Sequence, residues 1–199
     1  MADFLSNMET LYEAMQRDYD SVREHYGFSC KGCVDNCCTQ RFFHYTWAEY
    51  LYLLEGMKNA GAAVSMEIIG KAREVVASYD KEEDPSDPKP LMCPINFEGL
   101  CALYTHRPMI CRMHGLPHRV RDPKGRETRG GGCAPFDSKA IKAGWTLNRT
   151  PHYLALARVE GELRARRKLS AKLRLTTAEM LIMMATSGGG AASGGGLAP

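Results

Sequence analysis

The chain has 199 residues, of which 44% are hydrophobic and 25% charged, with a formal net charge of +3. These proportions suit a folded globular chain with an ordinary core, and no run approaches the roughly 18–20 consecutive apolar residues that cross a bilayer. So small a charge does not by itself argue for nucleic acid.

In chain order, Phe4, Leu5, Met8, Leu11, Tyr12, Met15, Tyr19 and Val22 recur at spacings of three and four. They predict a helix over residues 3–26, stopped by Gly27. This start lacks a basic stretch followed by an apolar one, so no secretory signal is read, and the expectation is a cytoplasmic protein with reduced thiols and no membrane association. Thr46 and Glu49 form a capping box for a second helix running to about Asn59. A third, near residues 63–79, carries Ile68, Ile69, Ala72, Val75, Val76 and Tyr79 on one face. DKEEDPSDPKP then marks a loop. Residues 91–136 show little periodicity. Thr150, as N-cap before Pro151, opens a helix to about Lys168, and the Thr176/Glu179 capping box opens a last one that ends before Ser187. SGGGAASGGGLAP reads as a flexible tail. The expected fold is mainly α, with helices packed around an irregular cysteine-rich metal-binding centre. A single domain is expected over residues 1–186: an N-terminal helix in 1–27, a cysteine-cluster region in 28–136 and C-terminal helices in 137–186, followed by the tail 187–199.

The eight cysteines fall in two groups. Cys30, Cys33, Cys37 and Cys38 form C-x2-C-x3-C-C, and Cys93, Cys101, Cys111 and Cys133 follow later. In a reducing compartment such density points to metal rather than disulfides. A zinc ribbon needs a second C-x2-C, the bacterial ferredoxin run has different spacing, and a thioredoxin-like pair needs a βαβ setting. Neighbouring side chains diverge, so Cys37 and Cys38 can both ligate but more easily serve different centres, or one ligates while the other packs. Eight thiolates fill two four-coordinate sites; one cluster with spare thiols is equally compatible. Closing the 54 residues between Cys38 and Cys93 costs roughly 3–4 kcal/mol of loop entropy. A thiolate-bound structural metal supplies on the order of 10–16 kcal/mol, which exceeds that cost.

The first string, followed by CPINFEGLCALYTHRPMICR, resembles the YkgJ-type cysteine-cluster family of zinc- or iron-chelating domains, which includes the flagellin lysine N-methylases. The matching residues are Cys30, Cys33, Cys37, Cys38, Cys93, Pro94, Cys101, Tyr104, Arg107, Pro108, Cys111 and Arg112. Cys133-Ala134-Pro135 departs from the family's later Cys-Pro-Gly by an inserted alanine and a missing glycine. The resemblance spans about residues 28–136 and implies a bound metal or iron–sulfur centre.

Clustered thiolates need compensating charge, and Arg107 and Arg112, bracketing Cys111, are placed to supply it. Arg119, Arg121, Lys124, Arg126 and Arg129 read either as a basic approach for an anionic partner or as a solvated loop. Gly130, Gly131 and Gly132 permit backbone amides to reach sulfur, or form a plain loop. One of His106, His114 and His118 is a candidate replacement ligand. Tyr104 is read as packing its ring on the centre, and Phe42, Phe43, His44, Tyr45 and Trp47 as walling it from water. Residues 1–26 hold six acidic and two basic side chains, and residues 158–174 seven basic and two acidic. The basic C-terminal helix lacks interleaved aromatics, which disfavours nucleic acid.

No Ser/His/Asp arrangement, paired-carboxylate site or Rossmann fingerprint is legible, so any catalysis falls to the metal. Soft thiolates select iron–sulfur clusters, zinc or Cu(I). Eight thiols, a Cys-Pro and few interleaved histidines favour iron–sulfur, a 4Fe-4S cluster first, with zinc as the alternative. Three roles follow: electron transfer with a protein redox partner of acidic surface, a metal-dependent protein-modifying enzyme resembling the flagellin N-methylases, or a zinc-stabilised interaction module.

Overall fold

The apolar stripe of the first predicted helix is buried as a unit. In the computed structural model, which describes residues 2–29, 37–81, 89–133, 136 and 145–188, helix α1 (Ala2–His25) buries Met8, Leu11, Tyr12, Met15, Tyr19 and Val22. Each such side chain contributes about 1.5–3 kcal/mol through burial. The protein is mainly helical. Its described residues fall into two compact units, the first drawn from Met1–Cys37 and Met109–Glu162, the second from Cys38–Pro108 and Leu163–Pro199.

In the first unit α1 packs on α4 (Met109–Met113), a single turn that buries Met109, Arg112 and Met113. A small sheet follows in the order β5-β4-β6, from β4 (His118–Arg121), β5 (Glu127–Gly130) and β6 (Leu147–Asn148). The basic stretch 119–129, left open in sequence between an approach surface and a loop, is thus a hairpin. Asp122 closes its turn by accepting from the amides of Lys124 and Arg126, both at 2.9 Å, the Asx geometry that favours Asp in turns. Helix α5 (Thr150–Arg167) starts beside it. Thr150 is its first helical residue rather than its cap: Asn148 Oδ1 accepts from the Thr150 amide at 3.2 Å, and the Thr150 hydroxyl accepts from the Arg121 amide at 2.8 Å. His152, buried, meets Asp18 at 2.8 Å and ties α5 to α1.

In the second unit, α2 (Trp47–Asn59), α3 (Ala62–Tyr79) and α6 (Thr177–Gly188) enclose Tyr50, Leu53, Ile68, Ala72, Met180 and Leu181. The Thr176/Glu179 capping box forms in full, and at α2 Thr46 caps the helix with its hydroxyl, not its amide, donating to Glu49. Glu49 N–H donates to Thr46 Oγ1, whose hydroxyl donates to the Glu49 carboxylate at 2.7 Å. Thr176 and Glu179 exchange the reciprocal pair at 2.7 and 3.2 Å. Strand β1 (Phe43–His44) pairs antiparallel with β7 (Leu175–Thr176). The aromatic string accordingly packs on this C-terminal segment: Arg174 lies 3.7 Å over the Phe43 ring, and Trp47 Nε1 donates to Ala171 O at 3.0 Å.

A second hairpin, β2 (Asn96–Phe97) with β3 (Leu100–Cys101), turns through Glu98 and Gly99 at φ of 51° and 85°. Two positive φ values in a two-residue loop match the twist of paired strands, but a glutamate there costs about 1 kcal/mol. Glu98→Asn should therefore raise stability by roughly 0.5–1 kcal/mol, read as a shift in denaturation midpoint. Among the described residues, no helix is long and apolar enough to cross a membrane. Residues 82–88 of the Pro-rich loop, and the tail beyond Gly188, lie outside the described residues.

Candidate metal centre

The β2–β3 hairpin positions two thiols. Cys93 stands just before β2, its carbonyl accepting from the Asn96 amide at 2.9 Å, and Cys101 ends β3 opposite Asn96. The Cys93 amide donates to the carbonyl of Cys38 at 2.8 Å. Cys38 sits in a one-turn 3-10 helix, Cys37–Thr39. The second unit therefore draws one cysteine of the first sequence group against two of the second. Burial pushes the Cys93 thiol up to about 12; the Ile95 amide opposes this, and the neighbouring Cys38 and Cys101 add to it. A thiol in so dry a place keeps its proton unless a cation replaces it.

The first unit holds Cys111, in the middle of α4, and Cys133. Cys133 is set by a close approach of two backbones. Its amide donates to Gly115 O at 2.9 Å, and its Sγ lies 3.4 Å from where a Cβ on Gly115 would stand. Gly132, at φ +83°, has no room for a side chain, since a Cβ would meet Gly115 O at 2.6 Å and the Leu116 carbonyl carbon at 2.8 Å. Phe136 returns its amide to Cys133 O at 2.9 Å, and its ring lies 4.9 Å from Phe28. Gly132 thus serves the close backbone packing that sets Cys133. Gly132→Ala combines positive φ with a backbone clash and should cost about 2 kcal/mol, measured by chemical denaturation.

Cys37, Cys38, Cys93, Cys101, Cys111 and Cys133 are all half-buried thiols. Cys30 and Cys33 lie outside the described residues, as do Ala134 and Pro135. Among the described residues, no three His, Cys, Asp or Glu side chains are gathered as a metal ion requires. The described thiols therefore do not complete a ligand set by themselves, although their chemistry suits a soft metal centre.

The two carried-over arginines occupy different units. Arg107 stacks 3.9 Å over the Tyr104 ring, and its Nε is buried without an acceptor. Tyr104 itself is exposed, so its ring carries a guanidinium in place of the packing role read from sequence. Arg112 is 5% exposed; it donates to Gln16 at 3.3 Å and lies 4.6 Å from the Tyr12 ring, anchoring α4 to α1. Its Nε is also buried with no acceptor. Buried guanidinium N–H groups of this kind fit beside an anionic centre, because each costs about 1–3 kcal/mol while unsatisfied.

Of the three candidate histidines, His106 lies against Tyr52 with ring centroids 4.6 Å apart and tilted by 35°, and it covers Gly56. His118 Nδ1 meets Leu116 O at 3.2 Å, and burial followed by Arg149 lowers its pKa. Both have packing roles. Sequence reasoning missed Arg149, 4% exposed, which donates to Met113 O; a lone arginine before a helix gives no signal of its burial. Comparison with known proteins returned no matching family model, no matching curated protein and no matching solved structure.

Proposed function

We propose that the clustered cysteines hold a thiolate-bound centre, an iron–sulfur cluster with four irons as the first expectation and zinc as the alternative, and that the protein acts in electron transfer. The observation that carries this reading is the Cys93–Cys38 backbone hydrogen bond of 2.8 Å, with Cys101 beside them on the hairpin. It joins the two sequence groups across a loop whose closure a metal would offset. An irregular cysteine-rich centre and likeness to the YkgJ-type family belong to the same proposal.

When bound, an iron–sulfur group supplies a one-electron couple. The chain's part is to exclude water, hold deprotonated sulfur and balance its charge. In the second unit the half-buried Cys38, Cys93 and Cys101 and the hairpin serve the first two tasks; in the first unit the aromatic pair Phe28 and Phe136 packs beside Cys133. Arg107 in the second unit and Arg112 in the first serve the third, each within its own unit, since a guanidinium stays charged at any working pH and donates from a fixed plane.

The test is anaerobic purification of the whole chain with iron, sulfide and zinc measured per chain. Iron with equal sulfide and a broad visible absorption supports the cluster. Zinc without sulfide replaces it by the zinc-stabilised module, and absence of metal on reconstitution with either removes the reading.

A further inference from the structure

A surface groove of about 370 Å³ lies in the first unit between the β4–β5 hairpin and the first turns of α5. Strand alternation puts Arg119 and Arg121 on one face of β4. The antiparallel register sets Arg129 opposite Arg119 and Glu127 opposite Arg121. On that face three guanidinium groups meet one carboxylate. Arg121 reaches Glu127 at 3.6 Å and Arg129 reaches it at 2.9 Å. Arg119 makes no ion pair among the described residues. Residues 118–130 as a whole carry five basic and two acidic side chains.

The other wall is Thr150, Pro151 and Leu154, and Leu154 is 65% exposed. A cationic wall facing an exposed aliphatic one matches a chain in which carboxylates alternate with apolar side chains. A phosphate gains nothing from Leu154 or Pro151, and no aromatic side chain lines the groove for a base to stack on. We propose that this groove binds an extended acidic segment of a partner protein, with its carboxylates on Arg119 and Arg121 and an apolar side chain covering Leu154. No cysteine lines the groove, so the inference goes beyond the metal reading and is tested apart from it.

The experiment is fluorescence anisotropy on the full chain with a short labelled peptide that alternates glutamate and leucine. Saturable binding is expected, weakened about tenfold by Arg119→Ala and to a similar degree by Leu154→Asp. Added salt should weaken it further. Lys124→Ala, at the hairpin turn and outside the groove, should leave it unchanged. Lys124 and Leu154 are exposed and Arg119 is partly buried, and circular dichroism verifies that each variant keeps its fold. Absence of saturation overturns the proposal. Equal weakening by Lys124→Ala and Arg119→Ala also overturns it, since net charge alone would then explain binding. Displacement of the peptide by inorganic phosphate or a single-stranded oligonucleotide, lost on Arg119→Ala, replaces the acidic partner with a phosphate ligand.

Discussion

Cys93→Ala is expected to lower bound metal by more than half and, with it, most of the stability that metal confers. The same substitution in the metal-free chain should cost only about 1–2 kcal/mol, the loss of a small buried side chain. The contrast arises because the two states ask different things of this residue. Without metal, burial keeps Cys93 a neutral thiol, pushed up to about 12, and it behaves as a small hydrophobe. With metal, the sulfur must lose its proton, and a structural site on the order of 10–16 kcal/mol depends on every ligand. Cys101→Ala should behave alike, being held beside Cys93 by the β2–β3 hairpin. Metal content per chain and denaturation with and without a chelator decide the matter. Full metal content in both variants would remove these residues from the ligand set. An equal stability loss in the loaded and chelated chains would make them core residues only.

Hydrogen exchange gives an independent view of the same dependence. Chelation should deprotect residues 93–101 before it deprotects α1, which buries six apolar side chains along one stripe.

Helices α1, α2 and α6 were legible because each carried two agreeing signals, whereas the one-turn α4 (Met109–Met113) in the aperiodic stretch was not read. In α1 a stripe from Met8 to Val22 ends at Gly27, and in α2 and α6 the Thr/Glu pairs stand where the structure caps each helix. The strands were not legible, and the reason is their length. Phe43–His44, Asn96–Phe97 and Leu100–Cys101 are two residues each, too short for a period of two to register. Their turns held the available signal: Glu98-Gly99 and the Asp122–Gly125 corner each place a glycine at positive φ between short extended runs. For the site, sequence named the thiols but not their grouping. That Cys38 stands against Cys93 depends on the hairpin and on packing of α2 and α3, neither of which the cysteine spacing encodes. The partners of the aromatic string were hidden for a related cause. Phe43 and Trp47 bind residues near 171–174 of the C-terminal segment, a long-range pairing that no local pattern announces.

That same pairing gives the protein an acid sensitivity centred on His44. His44 is 2% exposed, in strand β1, with its Nε2 3.0 Å from Thr177 Oγ1. Burial lowers its pKa from 6.5 to about 4. The unfolded chain thus takes up a proton near pH 6.5 that the folded chain refuses until about pH 4. Stability from this residue is therefore complete above pH 6.5 and falls as the pH drops from 6.5 to about 4, below which it is constant. The total loss is roughly 3 kcal/mol. His118, whose pKa is also lowered by burial, acts in the same direction. His44→Gln keeps a polar group for Thr177 and removes the titration. Its denaturation free energy should fall less steeply than that of the parent between about pH 7 and pH 4, in the same metal state. Carboxylates and His118 titrate in both proteins and cancel in the difference. Parallel pH dependences would show that His44 takes its proton in the folded chain, with the β1–β7 pairing open to water.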